Sequence, residues 1–297
     1  METTKIGLVG YGEVGQALAE GLLSNKQLSV QVFDIRFNTD KTTGSLAANA
    51  KAQGLILAND IDSLVKNSEL VISAVTCEQA LQVAERVSES LESGKIFVDM
   101  NTVAPRQKIK MGELIENSGG TFIEIAILGL IASYSYKSPM LACGKKARDF
   151  TDYLNNMGFE VRFLSEKVGQ ASSMKMFRSV FAKGVEGLLL EMLVAAERCD
   201  MLEPVMNMVT AHMDKSSFLE IAEAWITTSV IHARRRAEEM DHVIETLKNL
   251  KMHPIMATAT KERLRKGSEL NNKDLFKGEK PKDYRKIIKA IARSHYT

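Results

Sequence analysis

A strong charge of either sign is the first thing this sequence lacks. Its 39 Lys and Arg stand against 37 Asp and Glu, a formal net charge of +2 over 297 residues. So even a balance gives no global reason to expect nucleic acid as a partner. Histidine and cysteine are scarce, at five and three. The histidines form no HxxxH or HxxH pair and there is no CxxC, so no metal site is expected. Cys77, Cys143 and Cys199 are scattered and odd in number, which suits reduced thiols in a cytosol rather than a disulfide framework. No apolar run approaches the roughly 18 residues of a membrane span. The most apolar window, 122–132, is interrupted by Glu124 and Gly129. The opening METTKIGLVGYG reads as a strand and not as a basic segment followed by an apolar one, so the expectation is a cytoplasmic protein without membrane contact.

What is present is the balance of a globular protein, 45% hydrophobic and 26% charged, with ample material for a core. At about 150 residues per domain the length predicts two domains. The pattern agrees. Short β-type runs at 5–9, 30–34, 55–58, 70–74, 96–99, 121–127, 140–143 and 160–164 alternate with helical windows at 14–23, 45–53, 78–90, 106–117 and 147–157. Such alternation predicts an α/β domain, a mostly parallel Rossmann-type sheet with helices on both faces. Runs such as IGLV and LVISAV are apolar on both faces, as a covered parallel sheet requires. Strand signals then stop, and 166–297 reads as an all-helical domain. Met174, Phe177, Phe181, Leu188 and Met192 form one apolar stripe. Ser217 and Glu220 have capping-box spacing, and Pro254 suits the first turn of a later helix. Trp225 and the methionines at helical steps read as core. His232 and Arg234 to Arg236 read as a solvated or intersubunit cluster. From Lys273 onward eight basic residues face three acidic ones, which reads as a solvated helix and tail.

The loop Gly10-Tyr11-Gly12-Glu13-Val14-Gly15 lies between the first strand and the first helix. Gly10 permits a tight turn, Gly12 lets a pyrophosphate approach the backbone, and Gly15 allows helix to pack closely on strand. The helix N-terminus offers free N–H groups to phosphates. Asp34 closes the next strand, where a carboxylate accepts the ribose hydroxyls and repels a 2′-phosphate, favouring NAD. Arg36 two residues on provides the route to NADP. The expected cofactor set is therefore Gly10, Tyr11, Gly12, Glu13, Val14, Gly15 and Asp34, with Val75 and Thr76 after the fourth strand.

Four motifs together resemble the β-hydroxyacid dehydrogenase superfamily, which includes 3-hydroxyisobutyrate and 6-phosphogluconate dehydrogenases. They are GLVGYGEVGQALAEGLL; Asp99 to Pro105 (DMNTVAP), similar to a DxSTxSP loop with Asn101 for the first serine; FIEIAILG, in place of DAPVSGG, where Gly129 matches; and GQASSMKMFRS, similar to GxGxxxKxxxN. In the last, Lys175 falls on the catalytic lysine and Ser179 replaces the asparagine. The segment HARRRAEEMDHVIETLKNLKMHPIM is similar to the branch of NAD(P)-dependent oxidoreductases with a short helical C-terminal domain.

The resemblance implies hydride exchange between a nicotinamide cofactor and a small hydroxy acid or its carbonyl product. It implies Lys175 as general acid/base and Asn101, Thr102, Gly129 and Ser179 as substrate contacts. It also assigns substrate binding and dimerisation to the all-helical domain, and implies a homodimer and an active site between the two domains. Ala171, one turn before Lys175, is expected to leave room for a ligand. An ordinary lysine has a pKa of about 10.4, so being neutral near pH 7.5 costs about 4 kcal/mol unless burial and nearby positive charge lower it. Two other readings fit the degraded second and third motifs: an imine or other carbonyl reductase, and a non-catalytic dinucleotide-binding protein.

Overall fold

The structure, a computed structural model, describes residues 4–37, 44–269, 276–277 and 279–296. The order is β1 (Thr4–Val9), α1 (Glu13–Leu23), β2 (Leu28–Phe33), a 3-10 turn (Ile35–Phe37), α2 (Gly44–Ala52), β3 (Ile56–Leu57), α3 (Ile61–Lys66), β4 (Leu70–Ser73), α4 (Ala80–Ser90), β5 (Ile96–Asp99), α5 (Pro105–Asn117), β6 (Thr121–Ile127), α6 (Ile131–Tyr134), a second 3-10 turn (Ser135–Lys137), β7 (Met140–Cys143), α7 (Ala147–Asn155) and β8 (Val161–Ser165). Helices follow: α8 (Gln170–Glu197), α9 (Leu202–Met213), α10 (Phe218–Asn249), α11 (Ile255–Glu269) and α12 (Tyr284–Tyr296). Of the basic tail from Lys273 onward, residues 273–275, 278 and 297 lie outside the described residues.

The strands form one eight-stranded sheet in the order β3-β2-β1-β4-β5-β6-β7-β8. Every pairing is parallel except β6 with β7. That exception follows from the connection: α6 and a 3-10 turn make too short a link to carry the chain back across the sheet for a parallel return. Alternate residues of each strand feed two cores. Ile6, Leu8, Val98 and Ile125 join Leu18 and Leu22 of α1 and Phe150 and Leu154 of α7 on one face. Val9, Val71, Phe97 and Phe122 join Leu64 of α3, Val83 and Val87 of α4 and Met111 and Ile115 of α5 on the other.

The chain divides into two compact units, Met1–Ser179 and Val180–Thr297, with the division inside α8. In the second unit the capping box forms at the start of α10: the Glu220 N–H donates to Ser217 Oγ at 3.3 Å and the Ser217 N–H to Glu220 Oε2 at 2.9 Å. Arg234 and Arg235 pair with Glu238 and Glu239 one turn on, as a solvated face would. Trp225 is not core: it is 49% exposed, stacked against His212. Met174, Phe177, Phe181 and Leu188 of the stripe, and Met201, Met206 and Met208, are also exposed. Periodicity tells which residues share a face; it does not tell what covers that face. Among the described residues no helix is long and apolar enough to cross a membrane.

Candidate active site

The strand order reverses between β1 and β4, and in such sheets ligands bind outside the carboxyl ends of the strands at that switch. A cavity of about 640 Å³ lies there, lined by Gly10, Gly12, Glu13, Val14, Asp34, Arg36, Val75 and Thr76 among others. Three glycines shape it for three different reasons. Gly10 has φ +99°, and a Cβ on it would sit 2.2 Å from the Ala74 carbonyl oxygen. A Cβ on Gly15 would sit 2.2 Å from the Gly10 carbonyl oxygen, so Gly15 is what lets α1 close on the loop. A Cβ on Gly12 would meet nothing nearer than Arg36 Nη2 at 4.0 Å. The protein's own packing does not demand glycine at 12, whereas a phosphate close to the backbone does. Gly12 is the N-cap of α1 with no side-chain cap, so the first helical N–H groups are available to an anion.

Tyr11 and Gly15 do not line the cavity. They hold the loop from behind. The Tyr11 hydroxyl donates to Gln53 Oε1 at 2.7 Å, and its N–H donates to Asp34 Oδ2 at 2.7 Å. Asp34 is buried and heavily occupied. Arg36 donates to its Oδ1 from the backbone N–H at 2.9 Å and from Nε at 2.8 Å, and to its Oδ2 from Nη2 at 2.8 Å. Burial pushes the Asp34 carboxyl up, but the hydrogen bonds from Arg36 and Tyr11 outweigh it and hold the group below the usual carboxylate range. The carboxylate expected to greet a ribose is therefore already capped by a guanidinium at the cavity wall.

A second cavity of about 370 Å³ shares Val14, Ala74 and Val75 with the first and adds Cys77, Met100, Asn101, Thr102, Ile127, Gly129, Ile131 and Lys175. Thus four of the expected substrate and catalytic residues come together; Ser179 lies outside this lining. Lys175 Nζ donates to Thr102 Oγ1 at 2.8 Å. Burial, then the charges of Lys108 and Arg178, hold the Lys175 amine below the ordinary lysine range. Asn101 is committed inward. Its Nδ2 donates to Ser73 Oγ at 2.9 Å and to Asp99 Oδ1 at 2.5 Å, while its Oδ1 accepts the Val75 N–H at 2.6 Å. Gly129 is required by packing, since a Cβ there would sit 2.7 Å from Pro139 Cδ. Ala171 does not leave ligand space; it is buried with Ala126, Leu141 and Cys143.

Three residues were missed in the sequence. Glu124, in the middle of β6, caps α8: its Oε2 accepts the Gly169 N–H at 2.5 Å and its Oε1 the Ser172 N–H at 2.7 Å. A buried carboxylate at a helix N-terminus satisfies two orphan donors and complements the dipole, and so fixes the helix that carries Lys175. Its signal was a lone acid in a strand apolar on both faces. Lys108 is fully buried in an ion pair with Asp99. It shares the stripe of Met111 and Ile115 on α5, where a lysine is out of place. Arg178, one turn from Lys175, donates to the Leu128 carbonyl at 2.7 Å.

Comparison with known families agrees with this geometry. Residues 5–163 match the NAD-binding domain of 6-phosphogluconate dehydrogenase. The chain belongs to that family. Residues 196–267 match a domain of unknown function. An uncharacterised 28.5 kDa protein of Methanothermus fervidus is 31% identical over 257 residues, 86% of this chain and 96% of that protein. A solved conserved protein of unknown function, described as structurally similar to 3-hydroxyacid dehydrogenases, is 31% identical, with TM-score 0.61 and coverage of 90% and 99%. The fold is also that of imine reductases. A Myxococcus stipitatus variant in complex with NAD+ gives TM-score 0.75 at 17% identity, covering 92% of this chain and 96% of its own. The family places this chain among NAD(P)-binding, dehydrogenase-like proteins.

Proposed function

We propose that this protein is an NAD(P)-dependent dehydrogenase or reductase of a small hydroxy acid or its carbonyl product, with Lys175 as general acid/base. The observation that carries the reading is the Lys175–Thr102 hydrogen bond inside a cavity whose wall is shared with the nucleotide cavity. Gly10, Gly12, Glu13, Val14, Asp34, Arg36, Val75 and Thr76 would hold the cofactor, which supplies or accepts a hydride when bound. In the oxidising direction the neutral Lys175 amine takes the hydroxyl proton; in the reducing direction its ammonium protonates the forming alkoxide. A proton affinity below the ordinary lysine value brings both forms closer to working pH. Thr102 receives one amine N–H and keeps its own O–H for the substrate. The substrate is a small molecule, and the helical unit, with its exposed apolar side chains, serves a homodimer.

A second reading is reduction of an imine. It is favoured by the wall of the second cavity, where Val14, Met100, Ile127 and Ile131 are apolar and the Asn101 donors are committed elsewhere. Fluorescence titration with NADH and NADPH, followed by turnover on a panel of hydroxy acids, keto acids and cyclic imines, tests both. Lys175→Ala should bind cofactor as the wild type does and lose about 10²–10⁴ in turnover. Turnover of imines alone would select the second reading. Cofactor binding without turnover on any of the panel would favour a binding protein. Failure to bind either cofactor would refute the whole assignment.

A further inference from the structure

Asp99 and Lys108 are both fully buried, and the Lys108 ammonium donates to the Asp99 carboxylate and, at 3.1 Å, to the Asp99 carbonyl oxygen. A buried ion pair is weak support for stability, because an apolar pair of the same volume often serves as well. Its placement suggests another use. The free carboxylate oxygen of Asp99 accepts from Asn101, and Asn101 in turn accepts from the Val75 N–H. Val75 lines both cavities, and Thr102, next to Asn101, receives the Lys175 proton donor. One chain of hydrogen bonds, buried as far as Asn101 and partly buried at Val75, therefore runs from α5 through the end of β5 to the cavity wall after β4.

We propose that Lys108 is a positioning residue for the Lys175 amine: through Asp99 and Asn101 it holds the Asn101–Thr102 loop in register with Val75, so that the Thr102 hydroxyl meets Lys175. The proposal rests on the reading of Lys175 as the acid–base group. Lys108 also acts on that amine through its charge. The groups facing Lys175 are Lys108 from α5, Arg178 from α8, Thr102 from the loop after β5 and Cys77 from the loop after β4, and among the described residues no carboxylate pairs with it. Burial first, and then these cations, lower its proton affinity, and Asp99 lies behind Lys108 as its counterion.

The test uses the full chain without added ligand. Lysines are carbon-13 methylated, and Lys175 is assigned by the resonance lost in Lys175→Arg. In Asp99→Asn/Lys108→Met both charges leave together, so no unpaired ion is buried. The Lys175 amine should then bind its proton more tightly than in the wild type, seen as an upward shift of its titration. A folded double variant that titrates as the wild type does overturns the proposal. Asn101→Ala, which buries no new charge, decides the matter if the double variant does not fold. It should weaken NADH binding about fivefold, because the Val75 N–H loses its acceptor, and should shift the Lys175 titration. No change in either overturns the proposal. Undiminished turnover in Lys175→Ala would instead refute the acid–base reading, a result the titration does not produce.

Discussion

Arg36 and Lys175 are the two side chains whose charge decides most at the site. Arg36 neutralises Asp34 through paired hydrogen bonds, and so removes much of the repulsion that a bare carboxylate would offer a 2′-phosphate. Arg36→Ala should weaken NADPH binding about tenfold while leaving NADH binding equal or tighter, read as the ratio of the two dissociation constants by fluorescence. The Asp34 anchor has its own pH dependence. Its folded pKa is depressed, so its contribution to stability is complete above the ordinary carboxylate range and is lost as pH falls through that range toward the folded value. Lys175 is the converse. Its folded proton affinity is below the unfolded one, so its charged form weakens the fold at neutral pH, and that weakness fades as pH rises to the ordinary lysine value. Lys175→Met should therefore raise the melting temperature near pH 7 by about 1–3 °C while turnover is lost. The same variant at pH 11 should show no such gain.

Among the described residues, two helices are capped from a distance by glutamates. Glu124 of β6 caps α8, and Glu191 of α8 caps α11, accepting the Met256 N–H at 2.9 Å and the Ala257 N–H at 2.8 Å. Local capping needs a Ser, Thr, Asp or Asn a few residues before the helix, and the Ser217–Glu220 box was readable for that reason. Partners 45 and 65 residues apart leave no such spacing. Because Glu124 is buried and Glu191 partly so, Glu124→Ala should destabilise by about 2–3 kcal/mol and Glu191→Ala by about 1 kcal/mol, measured by urea denaturation. Glu124→Ala should also lower turnover without weakening NADH binding, since it loosens the helix that bears Lys175 and not the glycine loop.

On the scale of the whole molecule, the helical unit leaves large apolar side chains uncovered, among them Leu190 and Met208 at 62% and 66% exposed. Scattered exposed leucines are ordinary, but a series along α8 and α9 is the kind of surface that a partner covers. A homodimer is expected by light scattering. Leu190→Glu/Met208→Glu should shift it to monomer at micromolar concentration with the nucleotide-binding unit still able to bind NADH.

A family resemblance singled out Lys175; the sequence by itself determined the period of the strands and helices, the glycine loop and its acid, and the capping box at Ser217. These are local facts, fixed by spacing along the chain and by what a turn, a helix end or a two-faced strand requires of single residues. Only the tertiary structure decided which of the singled-out residues face a cavity. It turned Asn101 and Tyr11 inward, buried Ala171, bound Arg36 to Asp34, and paired Lys108 with Asp99. It also left Met174, Phe177, Phe181 and Leu188 of the apolar stripe exposed, and with them Trp225, Met201, Met206 and Met208, which the sequence had read as core. The physical reason is common to all of these. A hydrogen bond or a packed face belongs to two elements, and spacing within one element cannot say where the other will lie.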